Sequence, residues 1–458
     1  MVVAALVRSG RALFAILLGV YLIAGWWTTG HIAATGDETE YFAAADALIH
    51  GEGLELTERF AAIAASSYAP GDPIGDAEFR NSTAPSFARA GRYPRHDVGL
   101  SLLIAPLLAI GGRGLVVAVI GAAMAGAIAL TVRAAFLFGA TSRAAGSAGL
   151  AVGLAAPALT YSGQVFPDAV APLAVAVALA GAIERVPPIA TGLALAVLPI
   201  LHVRYWPLAL GLLALAAWPQ RRSPRTLALL IGPLVALMAG LAVLDLAVYG
   251  LAIPHAGFVL FFAGQEQPIQ PYLRGIEGLA GLFLDRAFGL LSAAPILVLA
   301  VIGLGAALFQ TRVRPLLLIA IAYLVPASLL DWTGAFSPQA RYLAPLVPVL
   351  VLLLAYGLDH APRRLLVASL PLAVWTLGQS LVYVVLPHLR YDVYSLPPAA
   401  DRAWFLLLGI APSSVFPLFG TGGATAALTL AWEAGLTALA GLGAVSSQRH
   451  KESPPSTR

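Results

Sequence analysis

Leu13 to Trp27 reads LFAILLGVYLIAGWW, and a few residues further on Gly36 to Tyr41 reads GDETEY. The first stretch is an uninterrupted apolar run, preceded by Arg8 and Arg11, and apolar runs long enough to cross a bilayer recur from there to the C-terminal end. Of the 458 residues 59% are hydrophobic and only 11% are charged, which places the chain among polytopic α-helical membrane proteins. The fold class expected is therefore all-α. The second stretch opens the one long polar segment, His31 to Asp97, and sets two adjacent carboxylates at a membrane surface. An ionised side chain there is unfavourable unless water or a partner satisfies it, so Asp37 and Glu38 are candidates for function.

No other polar block is large enough for a soluble domain. The expected organisation is a single transmembrane domain over 1–458, with a first extracytoplasmic loop at 31–112 that carries interfacial helices and a disordered cytoplasmic tail at 446–458. Cysteine is absent, which excludes disulfides, thiolate metal sites and a cysteine nucleophile. The net charge is +4, and all the basic residues but Lys451 are arginine, as GC-rich coding produces. Arg8 and Arg11 before an apolar run resemble a secretory signal peptide, but the acidic motif and the many later spans favour a retained first helix.

Charge placement orients the chain. Arg133 to Arg143, Glu184-Arg185, Arg221 to Arg225, Arg312 to Arg314, Arg363-Arg364 and the tail with Arg449 and Lys451 are mostly basic, and the breaks between them carry the acids. The positive-inside rule puts the basic set, and with it both termini, in the cytoplasm. About twelve spans satisfy this alternation, near 12–30, 113–136, 144–163, 168–184, 188–203, 205–218, 226–249, 287–310, 315–331, 341–358, 364–386 and 424–445. The pair 188–203 and 205–218 is short for a bilayer of about 30 Å and reads as a hairpin with His202 and Arg204 at a polar tip in a water-filled cavity. No internal repeat is evident, which weighs against a transporter built from inverted repeats.

Inside the first loop, Glu40 to His50 is predicted to be helical, with Tyr41, Phe42, Ala45, Leu48 and Ile49 on one side and Gly51 and Gly53 ending it. Ala69 to Ala90 is predicted to be irregular, and Asp97 to Ile110 to lie at the outer interface before Gly111-Gly112 leads into the second span.

Several outward-facing groups carry possible chemistry. A carboxylate such as Asp37 can take a proton from a hydroxyl or bind a divalent metal, and it can equally be an acid favoured by the dipole of the following helix. Arg95 and His96, in the stretch Arg92 to Asp97, suit a phosphate or lipid headgroups. Asp168 sits at the mouth of the fourth span, and Arg341-Tyr342 follows a loop rich in aromatic and polar residues. A divalent metal is chemically possible, but beyond Asp37, Glu38 and Asp168 no clear ligand set is present. Phosphate loops, dinucleotide fingerprints and zinc-protease helices are absent. The cytoplasmic breaks are too short for a nucleotide site, so an activated donor must reach the outer face attached to something in the membrane.

The order GDETEY at 36–41, LIHGEGLELT at 48–57 and GRYPRHDVGL at 91–100, followed by Phe166-Pro167-Asp168, His202 to Tyr205, Phe288 to Leu291, Ser337-Pro338 and Ala340-Arg341-Tyr342, resembles the integral-membrane glycosyltransferases of the C-type (GT-C) fold. The likeness is greatest to the bacterial branch related to protein O-mannosyltransferases and aminoarabinose transferases. That resemblance implies an inverting transfer of a sugar from a polyprenyl-phosphate donor to a lipid, protein or glycan acceptor at the outer face of a bacterial inner membrane. It implies Asp37 as general base, Asp168 as a catalytic helper, and Glu38, Arg95, His96, His202, Arg204, Arg341 and Tyr342 as substrate-binding residues. Membrane lipids are the other expected partners, and nucleic acid is not one. Members of that family often carry a lysine or histidine followed by two prolines, whereas here Arg95-His96 is followed by Asp97-Val98. A transporter or flippase of a lipid-linked or anionic solute is the alternative, and a non-catalytic membrane partner that kept the fold is a third.

Overall fold

Apolar runs without hydrogen-bonding partners in their side chains satisfy their backbone within themselves, and the computed structural model is correspondingly helical. It describes residues 10–59, 83–184, 186–263, 275–329, 337–390, 401, 404, 408–419 and 426–452. Six of the described helices are long and apolar enough to cross a membrane: Gly10–His31, Gly99–Leu137, Pro224–Tyr249, Arg341–His360, Arg363–Val385 and Ala426–Gln448. Four shorter apolar helices, Pro167–Ile183, Pro188–Leu201, Pro295–Ala307 and Arg314–Ser328, occupy further predicted spans. Large apolar side chains such as Ile23, Trp26, Val243, Val374 and Leu381 point outward from these helices, as they do in a chain solvated by lipid. The protein is a predominantly helical membrane protein.

Two predicted spans are shorter than the apolar pattern implies. Over 144–163 the helix Ser142–Gly153 stops, and only the single turn Ala158–Tyr161 follows. Over 287–310 the backbone leaves the helical region at Ala294, so the long helix starts with Pro295. In both places a proline, Pro157 or Pro295, removes the amide that would continue the ladder. The last helix runs from Ala426 to Glu452, so 446–452 is helical where a disordered tail is expected; 453–458 lie outside the described residues.

The chain forms two compact units. One comprises Met1–Tyr21, Ala122–Ser162 and Leu273–Arg458, the other Leu22–Gly121 and Gly163–Tyr272. In the first, helices approach at glycines: a Cβ on Gly303 would lie 1.7 Å from the carbonyl oxygen of Leu353, and one on Gly357 would lie 2.0 Å from that of Leu299. Without a hydrophobic drive between helices in lipid, such backbone-to-backbone packing holds them together.

The second unit combines the four helices Pro167–Ile183, Pro188–Leu201, Trp206–Ala217 and Pro224–Tyr249 with most of the first loop. The loop helix runs from Glu38 to Ile49, and Gly51 and Gly53 follow with positive φ. Its burial differs from the predicted one-sided pattern: Glu38 through Ala45 are all buried and Ile49 is exposed, because neighbouring segments enclose the first turns. Part of the predicted irregular stretch is a strand, Thr83–Pro85, paired antiparallel with Arg92–Pro94 in the register Ala84 opposite Tyr93; 69–82 lie outside the described residues. The prolines limit the ladder to three residues a strand. Tyr249 donates to the carbonyl of Pro94 at 2.7 Å and fastens this hairpin to the end of the Pro224–Tyr249 helix. The helix beginning at Gly99 breaks at Gly111 and Gly112, where Gly112 takes φ 62°. The predicted junction before the second span falls at that break.

Candidate functional site

The candidate site lies in the second unit, where the chain leaves its first long helix. Gly36, with φ 62°, turns the backbone, and Asp37 caps the Glu38–Ile49 helix through its main chain alone; its side chain makes no capping hydrogen bond. The Asp37 carboxylate faces Arg95 Nη2 at 3.1 Å and His96 Nε2 at 3.3 Å. Its side chain is 14% exposed.

Glu38 points away from Asp37 and is fully enclosed. One oxygen accepts from the amide of Val165 at 2.6 Å, the other from that of Thr35 at 3.2 Å, and Arg113 Nη2 lies 3.7 Å away. Arg113 also donates to the carbonyls of Ile32 and Ala33, which end the first long helix. Glu38, expected to bind substrate, is buried and ties the turn before Asp37 to the chain that enters the Pro167–Ile183 helix.

Glu40, one helical turn beyond Asp37, shares its partners. Oε1 accepts from the His96 amide at 2.8 Å. Oε2 lies 3.5 Å from Arg95 Nε and 3.8 Å from His96 Nε2 and takes no hydrogen bond. Burial raises the pKa of Glu40 above the ordinary glutamate range, against the opposing pull of His96 and Arg95. Arg95 covers the ring of Phe261 at 5.1 Å, and His96 stacks on Tyr41 with centroids 5.6 Å apart.

A second cluster surrounds Asp168 in the first turn of its helix. It is fully buried; both its oxygens receive Arg204 Nη2, and Oδ1 also accepts from the Tyr205 hydroxyl at 2.7 Å. Arg204 belongs to the tip predicted between the two short helices: Leu201 ends one, Val203–Tyr205 form a single 3₁₀ turn, and Trp206 opens the next. His202 and Arg204 are buried there among protein groups, where a water-filled cavity was expected, because Asp168 supplies the counter-charge. The His202 ring lies 6.2 Å from that of His96, so the two clusters adjoin.

Asp97 makes hydrogen bonds through both carboxylate oxygens. Oδ2 accepts from the Val203 amide at 3.0 Å, and Oδ1 meets His255 Nδ1 at 2.5 Å. His255 Nε2 in turn accepts from the Trp206 indole at 3.3 Å, which fixes the proton on Nδ1. Asp97 thus anchors the His202 to Arg204 tip.

Of the residues singled out in the sequence, Asp37, Glu38, Arg95, His96, Asp168, His202 and Arg204 fall in this unit. Arg341 and Tyr342 belong to the other, where they open a 3₁₀ turn, are buried, and lie with the Arg341 guanidinium 6.0 Å from the Tyr342 ring. The loop residues 331–336 before them lie outside the described residues. Glu40, Tyr205 and His255 were not singled out. The spacing of Glu40 from Asp37 on a helix is a legible signal; the approach of His255 to Asp97, 158 positions apart, leaves none. Among the described residues no group of three or more histidine, aspartate and glutamate side chains is arranged to hold a metal ion, and Asp37, Glu38 and Asp168 face different partners.

Comparison of the chain with protein-family models, with curated proteins and with solved structures finds no match.

Proposed function

We propose that this protein is a membrane glycosyltransferase of the C-type, moving a sugar from a polyprenyl-phosphate donor to an acceptor hydroxyl at the extracytoplasmic face, with inversion. The observation that carries the reading is the setting of Asp37: a partly exposed carboxylate beside a long apolar helix, with Arg95 and His96 within 3.3 Å. One general base and adjoining cationic or hydrogen-bonding groups are what displacement of a phosphate at an anomeric carbon requires.

In this mechanism Asp37 accepts the proton of the acceptor hydroxyl as that oxygen forms its bond to the anomeric carbon. The bond from that carbon to the donor phosphate oxygen breaks, and the phosphate keeps the electron pair. Arg95 stabilises the growing charge on the phosphate, and His96 orients Asp37. Arg204 contributes through Asp168, holding the adjoining tip in place. The orientation belongs to the same proposal: about twelve spans in a bacterial inner membrane, both termini cytoplasmic, and the 31–112 loop outside.

The test is transfer by purified protein in proteoliposomes supplied with polyprenyl-phosphate sugars and candidate acceptors. Asp37→Asn should lower the rate by about 10²–10⁴-fold, the range for loss of a general base, with thermal stability unchanged. Full retained transfer removes Asp37 from the catalytic role. Wild-type protein that carries a lipid-linked sugar across the bilayer without transferring it supports a flippase instead.

A further inference from the structure

Asp37 and Glu40 lie one helical turn apart and face the same two side chains, Arg95 and His96. Arg95 Nε donates to His96 Nε2 at 3.1 Å, and the Arg95 guanidinium faces both carboxyl groups.

The two acids do not share that cation equally. Asp37 accepts from Nη2 of Arg95 at 3.1 Å and is 14% exposed. Glu40 is 2% exposed, and its Oε2, shut off from solvent, receives no hydrogen bond. A carboxylate there has the His96 amide on Oε1, but its Oε2 is buried 3.5 Å from Arg95 Nε without a hydrogen bond, a position that disfavours the charged form relative to the carboxylic acid.

We propose that Glu40 is a resident carboxylic acid, protonated in the folded protein at neutral pH, and that of the two acids Asp37 is the ionised one beside Arg95. The groups facing Glu40 are Asp37 on its own helix, Arg95 and His96 after the hairpin, and Tyr249, within electrostatic reach from the Pro224–Tyr249 helix. The upward displacement of the Glu40 pKa by burial agrees with this division. Environments that separate two neighbouring acids in this way assign one to base chemistry and keep the other neutral. The consequence for function, which rests on the proposed transfer from a lipid phosphate, is electrostatic. A neutral Glu40 leaves the Asp37–Arg95 pair without a second negative charge, so an anionic phosphate meets less repulsion.

Infrared spectroscopy of reconstituted protein tests the protonation without any transfer reaction. With glutamate labelled by ¹³C at the side-chain carboxyl, wild-type protein at neutral pH should show a label-shifted carbonyl stretch of a protonated acid. Glu40→Gln should remove that band, and Asp37→Asn should keep it. Absence of a labelled band in the wild type, or its persistence in Glu40→Gln, overturns the proposal. If Glu40→Gln does not fold, Glu40→Asp serves, since the band must then lose its label shift; a retained shift overturns the proposal equally. In transfer assays the decline expected of wild type as pH rises should be absent from Glu40→Gln. A silent wild-type assay with the labelled band present would reject the transferase and keep the acid.

Discussion

The Asp37 group and the Asp168 group are built from the same chemistry, an aspartate at the start of a helix facing an arginine, and they differ in closure. Asp168 is fully buried, and Arg204 and Tyr205 saturate both its oxygens. Asp37 retains exposure, and the neighbouring Glu40 has an oxygen with no hydrogen bond. A closed, charge-balanced pair stabilises an arrangement, whereas a partly exposed carboxylate remains accessible to a further partner. The contrast favours Asp37 as the reacting acid and Asp168 as the residue that fixes Arg204.

Three measurements bear on that contrast. The largest effect is expected from Asp168→Ala, which leaves Arg204 buried without its counter-charge and should lower stability by about 3–5 kcal/mol in thermal unfolding in detergent. Asp37→Asn, at a partly exposed pair, should change stability by at most about 1 kcal/mol. Equal destabilisation by the two substitutions would erase the distinction between them.

Next is Glu38→Gln. The amide keeps one acceptor oxygen but turns an NH₂ towards Val165, Thr35 or Arg113, each of which donates, and this should cost about 1–3 kcal/mol. If the turn before Asp37 depends on this tie, transfer should fall together with stability. An unchanged unfolding temperature would show that Arg113 and the helix ends hold the turn without Glu38.

The smallest effect is a pH slope. Because burial raises the Glu40 pKa, the folded protein binds this proton more tightly than the unfolded chain. Its contribution is fully present below the ordinary glutamate range and is lost as pH rises through the raised range, so stability falls with pH there. Glu40→Gln should flatten this part of the pH–stability curve, whereas Asp37→Asn should leave it in place. A curve unaffected by Glu40→Gln would show that Glu40 titrates alike in both states.

Much of the architecture is legible because lipid tolerates few solutions for a backbone. The apolar runs mark the long helices, Gly51 ends the loop helix, and Gly111-Gly112 breaks the helix that begins at Gly99. Less legible are places where two local rules compete. Over 144–163 the hydropathy favours continuation and Pro157 opposes it, and the helix stops at Gly153. At 83–85 turn-forming composition predicts an irregular path, yet pairing with Arg92–Pro94 supplies partners for the strand. At the site the residue types are readable and their pairings are not. Nothing local states that Asp97 meets His255 or that Glu38 meets Val165, because those contacts join segments more than a hundred positions apart.

By itself the sequence established a helical membrane protein with a first polar loop that concentrates acids, since transfer of apolar side chains out of water and self-satisfaction of the backbone are properties of short segments. Tertiary structure decided which of those acids are enclosed and which remain open. Burial, counter-charge and hydrogen-bond saturation depend on every neighbour at once, and they separate Asp37 from Glu38, Glu40 and Asp168 although all four are carboxyl groups at the start of a helix.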